Sequence, residues 1–422
     1  MNLLLLNHYA GTPALGMEYR PYFLAREWVR AGHTVTIVAA SHSHVRARQP
    51  APGRALVDGI AYRWLPTPAY AGNGAGRLRN VLSFLRQCWW AGPRWADELQ
   101  PDAVIASSTY PMDFWVARRI ARRAGARLVH EVHDLWPLSL IELSGMSPRH
   151  PFVRWCQVAE DAACRGADLV VSMLPRVQEH LAAHGLPPDR LAIVPNGISP
   201  EDWAAPLPPL RGDVAQALAA ARSAGAPVVG YAGSMGAPNA LDVLLDAAAL
   251  LRDSGLRFVL VGDGHERARL QQRVAAEALG AVTMLPPIPK AQVPAFLASL
   301  DIAYIGWQRQ PLYRFGIAPN KLMDYMMAGC AVLHAVEAGN DPVAEAGCGL
   351  TVEPESPAAT ARGLRALAAL DAAERRRLGE RGRAHVLRHH AYPVLAQRFV
   401  EALAAARPRD PRARWRALEA AR

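Results

Sequence analysis

The stretch Val-Val-Gly-Tyr-Ala-Gly-Ser-Met-Gly at positions 228–236 decides the fold. Its apolar first half predicts a buried strand, and the glycines that follow predict a tight turn. A second apolar run, 258–262, leads into the similar turn Gly262-Asp263-Gly264. Glycine-bearing turns at the tips of neighbouring strands are typical of open parallel sheets, where backbone N–H groups can approach a phosphate.

Apolar strand-like runs alternate with helix-like stretches along the whole chain, a pattern typical of parallel α/β sheets. The runs form two series in which the strands are similarly spaced along the sequence. We therefore predict an α/β fold of two doubly wound, Rossmann-like domains that face an interdomain cleft. The predicted strands are 3–6, 34–39, 103–107, 127–132 and 168–173 in the first series, and 228–232, 258–262, 282–285, 302–305 and 331–335 in the second.

A proline-rich stretch at 200–209 separates the two series, and we interpret it as the linker. The predicted domains are 1–205 and 206–385. A helix at 386–403 is expected to return to the first domain, and a basic tail fills 404–422.

The composition describes a globular protein with a full core, since 51% of the 422 residues are hydrophobic and 20% are charged. The net charge of +10 favours an anionic partner, either a nucleotide phosphate, a nucleic acid or a membrane surface. Five cysteines without a Cys-x-x-Cys pair indicate unpaired thiols in a reducing compartment. The start of the chain lacks the basic region and cleavage site of a signal peptide, so a cytoplasmic location is expected.

Residues 318–329 read Ala-Pro-Asn-Lys-Leu-Met-Asp-Tyr-Met-Met-Ala-Gly and contain one of only two lysines, Lys321. The Pro-Asn turn and the apolar run place this ammonium at a helix N-terminus, where free N–H groups also favour anions. Asp324 lies three residues later, on the same helical face. We interpret the segment as a phosphate-binding corner. The alternative is a plain helix start whose lysine is incidental or paired with Asp324.

The run His130-Glu131-Val132-His133-Asp134 ends a predicted strand. Neighbouring strand residues point to opposite faces, so this spacing does not favour a metal site. No Asp-x-Asp motif occurs in the chain, and we expect no metal. His133 at the strand tip is suited to donate to a sugar hydroxyl or phosphate, and the alternative is a histidine satisfied by nearby backbone.

Residues 77–95 mix arginines with apolar and aromatic side chains, including Trp89, Trp90 and Trp95. That mixture is typical of an interfacial membrane helix. A helix packed on the sheet with a solvated basic edge is the equal alternative.

In this order, the segments resemble glycosyltransferase family 4, the retaining GT-B enzymes. The resemblance is closest to bacterial polysaccharide and lipopolysaccharide transferases that carry an HDLWP stretch, here residues 133–137. Other matching positions are Gly16, residues 32–38, 167–171, 194–198, 261–264 and 319–329. The chain departs from the family at Gly316, where the first Glu of a Glu-x7-Glu pair is expected, and at Ala237 and Pro238, where an arginine often follows the glycine-rich loop.

The resemblance implies site residues at the matching positions. Catalytic roles are expected for His133, Asp134 and Lys321, and acceptor contacts for Glu18 and Arg20. Asp324 is expected to hold the ribose in place of the family's second Glu. The expected donor-binding residues are Gly16, Gly233, Ser234, Gly262, Asp263, Ile317, Ala318, Pro319, Asn320, Lys321 and Asp324. Lys321, helped by Arg309 or Arg314, is expected to replace the missing arginine.

The resemblance also implies a reaction. We expect retaining transfer of a hexose or N-acetylated aminosugar from a nucleoside diphosphate sugar, with UDP the favoured nucleotide, to a lipid-linked saccharide in cell-surface polysaccharide synthesis. No cofactor and no nucleic acid partner are expected, and peripheral contact with an anionic cytoplasmic membrane is a further hypothesis. The alternatives are a GT-B sugar-nucleotide epimerase or phosphorylase, or a nucleotide-sugar-binding protein without catalysis.

Overall fold

The computed structural model describes residues 1–16, 19–72, 74–204, 206–223 and 225–406. The chain forms two compact units. The described residues of the first fall within Met1–Pro195 and 392–406, and those of the second within Asn196–Ala391.

The first unit is built on a mostly parallel sheet with the strand order β3-β4-β2-β1-β5-β6-β7-β8 over its described residues. Only β3 runs antiparallel to its neighbour, in a hairpin with β4. The apolar central strands are buried on both faces, as expected for parallel sheets covered by helices. The strands are β1 (Asn2–Leu6), β2 (Thr34–Ala40), β3 (Gly53–Val57), β4 (Ile60–Leu65), β5 (Ala103–Ala106), β6 (Arg127–Val132), β7 (Leu169–Ser172) and β8 (Leu191–Ile193).

Helices connect these strands and cover the sheet. In chain order they are α1 (Tyr19–Arg30), α2 (Ala75–Leu99), α3 (Asp113–Ala124), α4 (Leu138–Glu142), α5 (Pro151–Gly166) and α6 (Gln178–Ala183). The strand order reverses between β1 and β5. A parallel α/β sheet binds ligands at such a switch point, beyond the carboxyl ends of the strands. The side chains that follow β1 and β5 are therefore the first place to look for a site.

The second unit has the sheet order β11-β10-β9-β12-β13-β14 in the part described, with every pairing parallel. Its switch point lies between β9 and β12. The strands are β9 (Val228–Ser234), β10 (Arg257–Asp263), β11 (Val282–Leu285), β12 (Ile302–Gly306), β13 (Ala331–Ala335) and β14 (Gly349–Thr351). The helices are α7 (Gly212–Ser223), α8 (Leu241–Leu250), α9 (Arg267–Ala276), α10 (Val293–Leu297), α11 (Asn320–Met327), α12 (Pro342–Ala346), α13 (Pro357–Ala369) and α14 (Ala372–His389).

The last described helix, α15 (Tyr392–Ala405), belongs to the first unit and packs on α1. Tyr392 stacks on Phe23 with ring centroids 4.8 Å apart, and Trp28 donates its indole N–H to the carbonyl of Ala396 at 3.1 Å. The predicted basic tail lies outside the described residues from position 407 onward.

The structure places the boundary between the two units before the predicted linker at 200–209. The first unit ends at Pro195, not at position 205, and the start of this stretch folds with the second unit. Residues Pro200–Trp203 form a 3₁₀ turn, and Trp203 packs with Ile198 on the apolar core of that unit. Proline here shapes a docked turn and does not mark a free connector.

All ten predicted strands are present, but the sequence patterns missed β3, β4, β8 and β14. The five cysteines are buried and unpaired, in agreement with the expectation of free thiols.

Candidate functional site

Lys321 lies in the second unit at the start of α11, which begins at Asn320 after Pro319. Its Nζ donates to the Tyr231 hydroxyl at 2.8 Å and to Asn239 Oδ1 at 2.5 Å, and it lies 4.6 Å from the centroid of the Tyr231 ring. Burial lowers the pKa of Lys321 to about 8. The ammonium is thus held by neutral partners, which leaves its charge available to an anion.

The tips of β9 and β10 lie directly beside this ammonium. A Cβ added to Gly233 would lie 3.1 Å from Lys321 Nζ, and Gly233 has a φ of +154°. Gly262 pairs with Gly233 across the two strands, as Asp263 pairs with Ser234. The two glycines keep the strand tips free of side chains, so the backbone is open to a ligand that Lys321 attracts.

Gly262→Ala is expected to destabilise the second unit, because the new Cβ would lie 1.9 Å from the carbonyl oxygen of Gly233. Such overpacking typically costs about 1–3 kcal/mol of the free energy of unfolding. Gly280→Ala is the matched control, since a Cβ added at that position would meet no atom within 4 Å. Urea titration of both variants checks the prediction, which equal midpoints would contradict.

The turn before α11 has a defined shape. Gly316 has a φ of +91°, a conformation that favours glycine, so the family's glutamate at this position would be strained. The Ile317 N–H donates to Asn340 Oδ1 at 2.7 Å, and Asn340 Nδ2 donates back to the Ile317 carbonyl at 3.2 Å. Asn196 Nδ2 donates to the Ala318 carbonyl at 2.9 Å. The side chains of two asparagines therefore hold the predicted donor-binding turn.

Asp324 lies on α11 but is not the partner to which Lys321 turns. Burial, opposed by the positive charge of Lys290 and supported by the negative charge of Asp202, raises the pKa of Asp324 to about 7. Burial also lowers the pKa of Lys290, which Asp324 and Asp202 oppose. Both lysines of the chain therefore lie in this unit, one beside the strand tips and the other within the electrostatic field of Asp324.

The two arginines expected to help Lys321 are engaged elsewhere. Arg309 forms ion pairs with Glu337 at 3.0 Å and Glu353 at 3.1 Å. The Arg314 guanidinium lies 4.3 Å from the centroid of the Phe315 ring. The carboxylates neutralise the charge of Arg309, which leaves Lys321 as the expected cation for a phosphate.

In the first unit, a buried polar cluster surrounds Glu131 at the end of β6. Glu131 accepts from Arg20 Nη2 at 2.9 Å and from Ser107 Oγ at 2.6 Å. His133 Nε2 lies 2.9 Å from Ser107 Oγ and 3.4 Å from the second Glu131 oxygen. Burial would raise the pKa of Glu131, but the charges of Arg20 and His133 hold it well below its usual range. The cluster therefore fixes His133 at the strand tip.

Arg20 does not have the geometry of an acceptor-binding residue. Its side chain is 5% exposed, and it also donates to the carbonyls of Pro195 at 2.6 Å and Val194 at 2.7 Å. With these donors committed inside the unit, Arg20 positions Glu131 instead of contacting a saccharide. Glu18, the other predicted acceptor residue, lies outside the described residues.

Asp134 is exposed and, with His133, borders a small cavity in the first unit. Asp113 sits close by, where burial raises the pKa of its carboxyl to about 7. It accepts from the Ser108 N–H at 2.8 Å. Gly16 has a φ of +90°, and an added Cβ would lie 3.1 Å from the backbone nitrogen of Ala47. The loops after β1, β5 and β6 thus bring most of the predicted first-unit residues to one edge of the sheet.

The sequence reasoning missed the partners that give these residues their geometry: Tyr231 and Asn239 for Lys321, Asn340 for the 317–320 turn, and Ser107 for His133. Tyr231 carried a usable signal, since it lies two residues before Gly233 on the predicted strand and so points to the same face. Asn239 ends a short 3₁₀ turn and Asn340 lies on a loop, and no hydrophobic periodicity identifies either residue.

Two family descriptions match the chain in succession. "Glycosyl transferase 4-like domain" matches residues 16–197, and "Glycosyl transferases group 1" matches residues 226–369. The chain is a glycosyltransferase family 4-like protein. The chain is 30% identical over 142 residues to the putative colanic acid biosynthesis glycosyl transferase WcaI of Escherichia coli (strain K12). That alignment spans 33% of the chain and 34% of WcaI, so it covers about a third of each protein.

Solved structures of similar fold include sucrose-phosphate synthase from Thermosynechococcus elongatus, with a TM-score of 0.69, 17% identity and complete coverage of both chains. A structure of Anabaena HepE in complex with UDP and glucose has a TM-score of 0.64 at 17% identity, covering 96% of this chain and 100% of HepE. WaaG, a glycosyltransferase involved in lipopolysaccharide biosynthesis, has a TM-score of 0.62 at 14% identity, covering 96% of this chain and 100% of WaaG. The likeness concerns the fold, and it confirms the prediction of two Rossmann-like domains of the GT-B type.

Proposed function

We propose that the protein is a retaining glycosyltransferase that moves a hexose or N-acetylated aminosugar from a nucleoside diphosphate sugar to a lipid-linked saccharide. The observation that carries the proposal is the position of Lys321. In a family 4-like chain, a partly buried ammonium with neutral partners lies beside two glycine-lined strand tips. That arrangement is suited to a diphosphate.

The donor binds through the second unit in this proposal. Lys321 meets the diphosphate, together with backbone N–H groups near Gly233 and Ser234 and at the 317–320 turn. Asp324 accepts from the ribose hydroxyls, and Gly262 and Asp263 complete the edge of the pocket. UDP is the proposed nucleotide, a choice supported by the structure of HepE in complex with UDP and glucose.

Cleavage of the donor's anomeric C–O bond develops negative charge on the leaving diphosphate. Lys321 and the fixed N–H dipoles stabilise that charge, and electrostatic stabilisation of this kind is usually the largest catalytic contribution. The acceptor hydroxyl then attacks from the face that the diphosphate leaves, and it passes its proton to a phosphate oxygen. The configuration of the sugar is retained, and no enzymic nucleophile or metal is needed.

The first unit supplies the acceptor side in this proposal. His133, positioned by Glu131 and Ser107, donates to a hydroxyl of the transferred sugar, and exposed Asp134 lies next to it. A role in cell-surface polysaccharide synthesis is supported by the partial likeness to WcaI, a putative colanic acid biosynthesis glycosyl transferase.

A thermal-shift screen against UDP, GDP, ADP and their sugars tests donor binding, because a ligand stabilises the folded state more strongly the tighter it binds. UDP and a UDP-sugar are expected to raise Tm most. Incubation with the stabilising donor and a lipid-linked saccharide then separates the alternatives. Free UDP and a longer saccharide support transfer, whereas an isomerised UDP-sugar would identify an epimerase. Phosphate-dependent release of a sugar phosphate would identify a phosphorylase. Binding of the donor without turnover would identify a nucleotide-sugar-binding protein without catalysis.

The pKa of Lys321 predicts how activity depends on pH. Lys321 carries its charge below about pH 8 and loses it above, so kcat/KM for the donor is expected to fall about tenfold per pH unit on the alkaline side. Lys321→Arg should abolish this alkaline decline in kcat/KM, because the guanidinium remains charged. A wild-type profile that stays flat to about pH 10 would contradict the assignment.

We also propose that α2 contacts an anionic membrane surface. Its buried residues Val81, Phe84, Cys88 and Trp95 recur at helical spacing, which supports packing on the unit through one face. The other face exposes Leu82 and leaves Trp90 74% exposed. Among the described helices, none combines the length and hydropathy that crossing a bilayer requires.

Sedimentation with liposomes tests the α2 proposal. More protein should pellet with anionic than with neutral vesicles, and Trp90→Ala should reduce the pelleted fraction. Trp89→Ala is a useful comparison, because the Arg119 guanidinium covers the Trp89 ring at 4.8 Å from its centroid. Equal recovery of the protein in the supernatant with both kinds of vesicle would contradict the α2 proposal.

A further inference from the structure

A histidine–carboxylate cluster lies between α5 and α6 in the first unit, and the proposed transfer does not use it. Glu160 lies on α5, His180 on α6 and His184 directly after α6. One ligand atom of each residue can be chosen so that all three lie within 4.8 Å of one another. The histidines are one helical turn apart, with ring centroids separated by 4.7 Å. These residue types and this spacing are suited to one ion.

The two histidines contact Glu160 at different distances. His180 Nε2 lies 2.9 Å from Glu160 Oε1, whereas His184 Nε2 lies 3.9 Å from Glu160 Oε2. The second distance is too long for a hydrogen bond. Two ligands about 2.0–2.2 Å from Zn²⁺ in a tetrahedral site are about 3.4 Å apart, a value between the two observed distances, so small side-chain movements would bring all three ligand atoms around one ion. The Glu160 side chain is only 6% exposed, which keeps its negative charge away from water.

Neighbouring polar groups orient the cluster. His184 Nδ1 lies 2.8 Å from Asp161 Oδ1, and this contact turns Nε2 toward Glu160. Gln157 Nε2 donates to Glu160 Oε2 at 2.9 Å and to Asp161 Oδ1 at 3.0 Å. A metal-binding histidine commonly gives its other N–H to a carboxylate, which sets the tautomer and the ring orientation. Asp161 has that position here.

We propose that Glu160, His180 and His184 bind a divalent transition-metal ion of the Zn²⁺ class. Two imidazoles and one carboxylate favour Zn²⁺ over Mg²⁺ or Ca²⁺, which prefer all-oxygen sites. The ion ties α6 to α5. Glu160 also lines the cavity that His133 and Asp134 border, so the ion fixes one wall of that cavity. The site is independent of the donor diphosphate, whose proposed ligands are on the second unit.

Calorimetric titration of the untagged, chelator-treated full chain with ZnCl₂ tests the site. We expect a single tight site per chain and a higher Tm with Zn²⁺ bound. Glu160→Gln, His180→Ala and His184→Ala should each weaken binding at least about tenfold, the lower range for disturbing a metal site. The double variant His385→Ala/His389→Ala is the matched control. This pair on α14 has the same spacing, with ring centroids 4.8 Å apart, and should leave Zn²⁺ binding unchanged.

Co²⁺ substitution of the wild-type chain gives a readout that does not depend on how the variants fold. Visible d–d bands without thiolate charge transfer are expected, because the ligands are nitrogen and oxygen. A thiolate band would place the ion at a buried cysteine and overturn the proposal. The proposal is also overturned if the chain does not bind Zn²⁺. It is equally overturned if the three variants bind Zn²⁺ as the wild type does, or if the α14 control variant loses binding.

Discussion

Replacing Lys321 by alanine is expected to lower kcat by about two to three orders of magnitude, the usual effect of removing one preorganised group from a developing oxyanion. Lys321 is the expected cation because Arg309 is neutralised by carboxylates and Arg314 lies on an aromatic ring. Initial rates with a UDP-sugar and a lipid-linked acceptor measure the effect. Near-normal turnover by Lys321→Ala would remove Lys321 from the mechanism.

The loss should not come from unfolding. Burial lowers the pKa of Lys321 to about 8, so the folded chain disfavours the ammonium relative to water. Lys321→Met removes the charge but keeps most of the side-chain volume. It is therefore expected to lose activity as Lys321→Ala does while its Tm remains near that of the wild type. A Tm that falls together with activity in Lys321→Met would identify a structural role instead.

The other lysine offers a matched comparison. Lys290 opposes the rise that burial imposes on the pKa of Asp324. Lys290→Ala is therefore expected to favour the protonated carboxyl and to raise KM for the donor, with a smaller change in kcat. This split between KM and kcat separates an effect through the ribose contact from the loss of charge at the diphosphate.

Buried strands and their tips were predictable from the sequence because hydrophobic period and glycine placement are local signals. The runs at 228–232 and 258–262 therefore led directly to the strands β9 and β10 and to the glycines beside Lys321. The hairpin of β3 and β4 gave a weaker signal. β3 is an edge strand without a buried residue, and β4 includes Arg63. The three-residue strands β8 and β14 are too short for any period to appear.

The partners of charged groups were not predictable, because they are distant in sequence. Lys321 is 90 residues from Tyr231 and 82 from Asn239, and Arg20 is 111 residues from Glu131. In a sequence, an arginine near a glycine-rich loop is a candidate ligand for an anion. In the structure, a buried carboxylate that is distant in sequence occupies the Arg20 side chain. The family resemblance implied an acceptor contact for Arg20, which instead holds Glu131.

Replacing Arg20 by alanine is expected to lower the free energy of unfolding of the first unit by about 3–5 kcal/mol, because it leaves the Glu131 carboxylate buried without its cation. Both side chains are almost fully buried, at 5% and 2% exposure. Tryptophan fluorescence during urea titration follows this unit, since eight of the eleven tryptophans precede position 196 (28, 64, 89, 90, 95, 115, 136 and 155).

Arg123→Ala is the matched control for Arg20→Ala. Arg123 pairs with Asp97 at 2.8 Å in the same unit, but both side chains are more than half exposed. An exposed pair contributes little because water already screens it, so the urea midpoint of Arg123→Ala should stay near that of the wild type. Equal destabilisation by the two variants would show that burial of the Arg20–Glu131 pair is not what matters.

The same ion pair sets the acid stability of the first unit. The pKa of Glu131 is lower in the folded chain than in the unfolded chain, so the unfolded chain binds a proton first as pH falls. The stabilisation from Glu131 is therefore complete above the usual carboxyl pKa of about 4.3 and declines as pH falls toward the folded value. Arg20→Ala removes the main opposing charge, so its stability should depend less steeply on pH below about 4 than that of the wild type. A variant that keeps the wild-type slope would show that Arg20 does not hold Glu131 ionised, and the positioning of His133 would then have to rest on Ser107.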